Sequence, residues 1–159
     1  MDKAKGGYQA THLSLLNGRL FHQLISQESD ALYSGEQGKI LYSFWQNDGR
    51  RTATDIAIHT GLANNTLTSM LKRLEEQGLI VQQPCPNDKR KKIWHLTEKG
   101  WGQEVIGKRV SERLSTIFYE GFSKEEMAAF EGYQERILAN LKANLQRRKI
   151  DESDEGYQG

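Results

Sequence analysis

The sequence predicts a mainly α-helical protein with a small β component (α+β), in which two short helices and a β-hairpin lie between longer helices. Apolar side chains recur at helical spacing along most of the chain. Residues 80–96 instead hold two short apolar stretches separated by two prolines and a run of cations, a pattern typical of a hairpin.

Composition indicates a globular protein with a modest core, since 36% of the 159 residues are hydrophobic and 27% are charged. No apolar run approaches the ~20 residues that span a bilayer. The N-terminus lacks the apolar stretch of a secretory signal, and the single cysteine, Cys85, has no internal partner for a disulfide. We therefore expect a cytoplasmic protein without a membrane partner.

The first two helices are predicted from an apolar stripe and a capping pattern. A helix is expected from about Ala10 to about Ala31, and Ser34-Gly35-Glu36-Gln37 is a capping box that begins the next helix. The turn signal Asn47-Asp48-Gly49 ends that second helix.

A pair of short helices follows. Thr52 or Thr54 caps the first helix of the pair and Gly61 ends it. The second helix places four apolar side chains on one face, and Gly78 fits the position after its end. These four apolar residues are Leu67, Met70, Leu71 and Leu74.

Two long helices are expected after the hairpin. Thr97 caps the first of them, which Gly121 ends. Ser123-Lys124-Glu125-Glu126 is a second capping box and begins the last helix. The polar residues 148–159 are predicted to form a disordered tail.

The second short helix is a candidate for contact with DNA, because its apolar face must be buried and its opposite face then points outward. That face is rich in short polar side chains near its start, and such groups hydrogen-bond to base edges and phosphates. Its candidate residues are Asn64, Asn65, Thr66, Thr68, Ser69, Lys72 and Arg73. The alternative is that the two asparagines merely cap the helix and the rest is solvated surface.

The loop of the hairpin carries the second group of candidate residues: Asp88, Lys89, Arg90, Lys91 and Lys92. From Ala63 to Gly100 there are seven cations and four anions, a net charge of +3 in a chain whose total is only +1. A carboxylate two positions before an arginine can orient its guanidinium for the minor groove. Asp88 can also act as a turn residue that binds its own backbone, and both roles are compatible.

These segments together resemble winged helix-turn-helix regulators of the MarR family, and with the flanking helices the resemblance covers about residues 10–147. The hairpin corresponds to the wing of that family, with a proline, an Asp-x-Arg and a Leu-Thr-x-x-Gly in order. The matching segments are the capped helix at Ser34, Thr54-Asp55-Ile56-Ala57, Thr60-Gly61-Leu62, Leu74-Glu75-Glu76-Gln77-Gly78-Leu79-Ile80, Pro86-Asn87-Asp88-Lys89-Arg90 and Ile93-Trp94-His95-Leu96-Thr97-Glu98-Lys99-Gly100.

The resemblance implies a homodimeric repressor that binds a pseudo-palindromic operator in double-stranded DNA and releases it when a small, often phenolic, ligand binds. Residues 1–33 and 101–147 would be the dimerisation helices, and residues 34–100 would be the DNA-binding domain. Asn64 to Arg73 would then lie in the major groove, and Arg90 in the minor groove with Asp88 as its partner. Gln82, Cys85 and Ser69 depart from residues that are common in the family.

The sequence bears on three kinds of sensing site: a crevice for an aromatic ligand, a redox-sensitive cysteine and a metal site. Phe21, Tyr42, Trp45 and Trp101 either line an apolar crevice for an aromatic ligand, with His22 as a polar group, or are ordinary core residues. Cys85 beside the basic run is either an incidental thiol or a redox sensor. His12 and His22 are too far apart along one helix to share a metal ion, so no metal site is expected. No cofactor is expected either.

Two functions from different classes are compatible with these residues. The first is the ligand-responsive regulator; the second is a winged-helix protein-interaction or architectural module without sequence-specific DNA binding, which the departure at Gln82 leaves open. An enzyme is not expected, because the chain lacks a Gly-rich phosphate loop, a CxxC motif and a nucleophile elbow.

Overall fold

The computed structural model describes the backbone of residues 3–156 and the side chains of residues 3–148. The order of elements confirms the predicted α+β fold class, with helices around a small antiparallel sheet. The elements are α1 (Gly6–Ser26), α2 (Gly35–Trp45), β1 (Arg50–Arg51), α3 (Ala53–Thr60), α4 (Asn64–Glu76), β2 (Ile80–Pro84), β3 (Lys92–Leu96), α5 (Glu98–Gly102), α6 (Glu104–Phe118) and α7 (Lys124–Gly156).

The backbone divides into two compact units, Met1–Phe118 and Tyr119–Gly159. The hydrophobic core lies in the first unit, where α2 contributes fully buried side chains such as Ile40, Leu41 and Phe44. α1 packs against α2 and α6 within this unit. The described side chains of the second unit include no buried hydrophobic residue. Among the described residues, no helix combines the length and the apolar character that crossing a membrane requires. The domain limits expected at residues 33, 100 and 147 stay predictions.

α1 ends earlier than the sequence predicts, at Ser26 instead of about Ala31. The following loop is held by Gln103, whose buried side chain accepts a hydrogen bond from the Leu32 amide (2.8 Å) and donates to the Asp30 carbonyl (3.3 Å). These bonds satisfy backbone groups that a longer helix would otherwise pair internally. The partner lies about 70 positions away in sequence, which is why local reasoning missed the end of α1.

The predicted ends of the short helices are confirmed. The Ser34 amide donates to Gln37 Oε1 (3.0 Å) at the start of α2, and Thr52 Oγ1 accepts from the Asp55 amide (3.1 Å) at the start of α3. Gly61 follows α3 in the left-handed conformation, with φ of 72°. Gly78, with φ of 77°, lets the chain leave α4 in the same way.

The sheet has the order β1-β3-β2 and is antiparallel throughout. The hairpin of β2 and β3 was predicted, whereas β1 was not. β1 is only two residues long, so it has no alternation that sequence reasoning could detect. Arg50 pairs with His95 and Arg51 with Trp94, which joins the start of the helix pair to the hairpin.

The helices after the hairpin differ from the prediction in two places. The helix that Thr97 caps is divided into α5 and α6 around Gln103, the residue whose side chain holds the loop after α1. α7 begins at the predicted capping box, where Ser123 and Glu126 exchange hydrogen bonds of 2.9 and 3.1 Å. α7 then continues to Gly156, where a disordered tail was expected, because residues 146–152 are mostly charged or polar helix formers. The rest of that expected tail, 157–159, lies outside the described residues.

Candidate nucleic-acid interface

α4 has the two faces that its sequence predicts. Leu67, Leu71 and Leu74 are 2%, 3% and 0% exposed and pack into the core, with Met70 partly buried beside them. All seven polar candidates on this helix are exposed: Asn64, Asn65, Thr66, Thr68, Ser69, Lys72 and Arg73. The exposed side of α4 is therefore available to an external partner.

The start of α4 does not use its asparagines as caps. The N-cap is Ala63, and within the part of the chain that the structure describes no side chain caps the start of the helix with a hydrogen bond. Asn64 and Asn65 are the first two helical residues, and the Asn64 carbonyl accepts a hydrogen bond from Thr68 Oγ1 (2.8 Å). The free amides at this end carry the partial positive charge that attracts phosphate.

The hairpin loop, residues 85–91, is closed by its own backbone. The Cys85 amide donates to the Lys91 carbonyl (2.8 Å), and the Lys91 amide donates to the Asp88 carbonyl (3.0 Å). Asp88 Oδ1 accepts from the Arg90 amide (3.0 Å), so the turn role expected for Asp88 is present. Among the described residues the Asp88 carboxylate forms no ion pair with the Arg90 guanidinium.

The cations of the hairpin remain free. Lys89, Arg90, Lys91 and Lys92 are all exposed, and the described part of the chain offers none of them a carboxylate within ion-pair distance. Free cations on a protruding loop can neutralise phosphates without first breaking an internal bond.

Arg50 lies outside the predicted site, and a carboxylate two positions earlier holds its guanidinium. This is the arrangement that was expected for Arg90 in the hairpin loop. Asp48-Gly49-Arg50 repeats the spacing of Asp88-Lys89-Arg90, and here Asp48 Oδ2 accepts from Arg50 Nε (2.9 Å) and Nη2 (2.6 Å). The hydrogen bond from Arg50 lowers the pKa of the Asp48 carboxyl. The same three-residue spacing thus yields two different bonds, because Asp88 binds the backbone amide where Asp48 binds mainly the guanidinium.

The far end of α4 is held by the first turn of α5. Thr97 Oγ1 donates to the Gly78 carbonyl (2.6 Å), and Lys99 Nζ donates to the Gln77 carbonyl (3.0 Å). Gly100 packs directly against the Leu79 carbonyl and accepts a hydrogen bond from Trp45 Nε1 at its own carbonyl (3.1 Å). These contacts fix where the C-terminal end of α4 lies relative to α2 and α5.

A cavity of about 830 Å³ lies behind α4 and is lined by residues of α1, α2, α4 and α6. Phe21, His22, Tyr42 and Trp45 line it, as expected for the predicted crevice. Trp101 does not; it packs over Gly49, where an added methyl group would lie 2.5 Å from the indole ring. α4 contributes Thr66 and Met70, so the cavity reaches the same helix that exposes the polar side chains.

Metal-ligating side chains and Cys85 are the other candidate sensing groups. Within the described residues no three His, Cys, Asp or Glu side chains are grouped as metal ligands. Cys85 is a partly buried free thiol at the base of the hairpin loop.

The polar side of α4 and the cationic hairpin on a three-stranded sheet define a winged helix-turn-helix DNA-binding protein. Comparison with known proteins agrees with this class. A sequence model of the MarR family matches residues 34–92. The HTH-type transcriptional regulator FarR of Neisseria gonorrhoeae is 32% identical over 108 residues, which are 67% of this chain and 70% of FarR. The chain belongs to the MarR family and is a DNA-binding transcriptional regulator.

Solved structures show the same fold at lower identity. A mutant MarR from E. coli complexed with operator DNA superposes with a TM-score of 0.67 at 23% identity, covering 83% of this chain and 92% of that one. BpsR of Bordetella bronchiseptica superposes with a TM-score of 0.71 at 18% identity, covering 82% of this chain and 91% of that one.

Proposed function

We propose that this regulator is a homodimeric repressor in the cytoplasm that binds a pseudo-palindromic operator and releases it when a small aromatic ligand binds. The observation that carries the DNA-binding part is the exposed polar side of α4 next to the free cations of the hairpin. Two surfaces on neighbouring elements can occupy adjacent grooves of one duplex.

α4 is the element proposed for the major groove. Asn64 and Asn65 lie on its first turn, where an asparagine side chain can pair with both the N6 and N7 atoms of an adenine. Thr66, Thr68 and Ser69 add short donors and acceptors for base edges or phosphates. Lys72 and Arg73 lie further along the helix and are proposed phosphate contacts.

The hairpin loop is proposed for the minor groove and the backbone beside it. Arg90 is the residue proposed to enter the groove, because a guanidinium is drawn to the negative potential of a narrow minor groove. Asp88 fixes the backbone turn that presents Arg90. Lys89, Lys91 and Lys92 are proposed to neutralise phosphates on either side.

A second copy of the chain is the partner proposed for the exposed apolar side chains of the long helices. α1 exposes Leu13, Leu15 and Leu16, and α7 exposes Ile137, Leu138, Leu141 and Leu145 along much of its length. Apolar residues recurring every three or four positions on one helix are typical of a helix that packs against another. A two-fold dimer also presents two copies of α4 to two half-sites.

The cavity is the proposed ligand site. Because Thr66 and Met70 of α4 line it, a ligand there contacts the helix that is proposed to read the operator. A ligand that fits the cavity better in one arrangement of α4 shifts the population toward that arrangement. The structural neighbour BpsR has its DNA binding regulated by 6-hydroxynicotinic acid, an aromatic acid, which favours this class of ligand.

Fluorescence anisotropy with the duplex upstream of the chain's own gene tests the DNA-binding part, at about 50 and about 200 mM salt. Arg90→Ala should weaken specific binding by about 1–3 kcal/mol and lower the salt slope by about 0.9 for each phosphate that the variant no longer neutralises. Arg50→Ala is the matched control, since its guanidinium is bound by Asp48. Equal effects of the two substitutions would remove Arg90 from the mechanism, and uniform weak binding to any duplex would favour the interaction module.

Two further measurements address the dimer and the ligand. Sedimentation equilibrium should give a dimer, and a monomer at micromolar concentration would contradict the role of the exposed apolar residues. A thermal-shift screen with aromatic acids, including 6-hydroxynicotinic acid, should find compounds that raise the melting temperature and release the duplex. Release of the duplex by none of them would contradict the proposed ligand class.

A further inference from the structure

The hydroxyl of Thr68 is turned back onto its own helix. Thr68 Oγ1 donates to the Asn64 carbonyl (2.8 Å), one turn earlier on α4. Thr66 and Ser69 carry the other hydroxyls of this helix, and neither makes such a bond within the part of the chain that the structure describes. The Thr68 hydroxyl therefore has no proton left to donate to an external partner. Because the side chain is exposed, its methyl group is the larger part of what it offers to such a partner.

Asn65 lies on the same side of α4 as Thr68. At 3.6 residues per turn, Asn65 is about 180° around the helix from the buried Leu74. Thr68 is three positions further on, and side chains with this spacing are neighbours with Cβ atoms about 5–6 Å apart. The Asn65 amide makes no hydrogen bond to any described residue, so its donor and its acceptor are both available. The outward side of α4 thus places an amide next to a methyl group.

The first two turns of α4 carry no charged side chain. Residues 64–71 hold only asparagine, threonine, serine, leucine and methionine, and Lys72 is the first cation of the helix. Guanine is most often read in the major groove by arginine or lysine, whereas asparagine pairs with adenine and apolar groups contact the 5-methyl group of thymine. The chemistry of these two turns therefore favours A·T over G·C base pairs.

We propose that Thr68 is a specificity-determining residue, whose methyl group packs against the 5-methyl group of a thymine in each operator half-site while Asn65 pairs with an adenine beside it. The assignment rests on the proposed position of α4 in the major groove. The spacing of the two side chains corresponds to one or two base-pair steps of about 3.4 Å. The bond to the Asn64 carbonyl holds Thr68 in one rotamer, so less side-chain freedom is lost when the methyl group meets the base.

The half-site is first defined by selection on the full chain, from duplexes whose random core holds two half-sites one helical turn apart. The selected sequences should carry a thymine with an adenine one or two base pairs away in each half-site. Selected half-sites without such a thymine would overturn the assignment. Selection of no sequence at all would contradict operator binding, and the assignment with it.

Replacing one thymine at a time by deoxyuridine then removes a single methyl group from the selected duplex. At one thymine of a half-site this replacement should weaken binding to the wild type by about fourfold, the factor that corresponds to the burial of one methyl group. Equal affinity of the wild type for thymine and uracil at every position would overturn the assignment.

Thr68→Ser and Thr68→Val separate the methyl group from the hydroxyl. Thr68→Ser lacks the methyl group and should bind both duplexes equally, whereas Thr68→Val keeps it and should distinguish them as the wild type does. Thr116→Ser is the matched control, since exposed Thr116 makes the same bond to the Glu112 carbonyl on α6 (3.0 Å); it should distinguish the duplexes. Discrimination by Thr68→Ser but not by Thr68→Val would mean that the hydroxyl makes the contact, and would overturn the assignment. Circular dichroism checks that each variant is folded.

Asn65→Ala separates this assignment from the proposed position of α4. If Asn65→Ala changes the selected sequence while Thr68→Ser still distinguishes thymine from uracil, the position of α4 stands and the assignment of Thr68 fails. If neither Asn65→Ala nor Thr68→Ser changes the selected sequence, the proposed position of α4 fails, and the assignment fails with it.

Discussion

Gly100 and Gly102 lie two positions apart on α5, and alanine should have opposite effects at the two positions. A Cβ on Gly100 would overlap the Leu79 carbonyl oxygen and lie 2.8 Å from Leu96 Cδ2. The Leu79 carbonyl is backbone and already accepts from the Thr97 amide (3.1 Å), so it has little freedom to move away. Around Gly102 nothing lies within 4 Å of the corresponding position.

The size of each effect follows from these distances. Overpacking of this kind costs about 1–3 kcal/mol, and the helical preference of alanine over glycine offsets about 0.5–1 kcal/mol of it. The overlap at Gly100 is with backbone, which places its cost in the upper half of that range. Gly100→Ala should therefore lose about 1–2.5 kcal/mol of unfolding free energy, or roughly 2–10 °C in melting temperature for a chain of this size. Gly102→Ala should gain about 0.5–1 kcal/mol, because it receives the helical preference without the clash.

The assay is thermal unfolding followed by circular dichroism, with duplex affinity measured on the same samples. Gly100→Ala should also weaken duplex binding, since relieving the overlap moves α5 away from the end of α4. Shifts of the same sign and size in both variants would refute the reasoning, because they would mean that the close approach of Gly100 to Leu79 does not constrain the fold.

Two further predictions concern other bonds of the first unit. Thr97→Val should lower the free energy of unfolding, measured in urea, by about 1–2 kcal/mol, because Thr97 both caps α5 and donates to the Gly78 carbonyl. Thr97→Ser keeps the hydroxyl and should restore most of this stability. No recovery in Thr97→Ser would contradict the role of the hydroxyl. The hydrogen bond from Arg109 lowers the pKa of Glu28 from 4.5, so this pair stabilises the fold above that pH and the contribution disappears as pH falls through the lowered value. The difference in melting temperature between wild type and Glu28→Gln should therefore shrink from about pH 6 to about pH 3, and a difference independent of pH would contradict the assignment.

Much of the fold could be predicted because its signals act within one turn of chain. The capping groups of Ser34, Thr52 and Ser123 bond to amides or side chains three residues away, so their meaning does not depend on the rest of the molecule. Gly61 and Gly78 adopt a positive φ at the ends of α3 and α4 for an equally local reason.

The features that escaped prediction depend on residues far apart in sequence. α1 stops at Ser26 because Gln103 satisfies the loop that follows it. β1 exists because its two residues meet β3, more than 40 positions later. The two partners of each interaction lie far apart in the sequence, so neither the spacing of apolar residues nor local helix and strand propensity can predict these interactions.

The amino-acid order by itself determined that α4 has an apolar and a polar side, since spacing on a helix decides which residues share a face. It also determined that the hairpin loop is cationic. Tertiary structure alone decided that Asp88 binds an amide while Asp48 binds a guanidinium, and that Trp101 packs over Gly49 and does not line the cavity. The reason is physical: a side chain's identity is local, but its partner and its access to water are set by whatever the folded chain brings next to it.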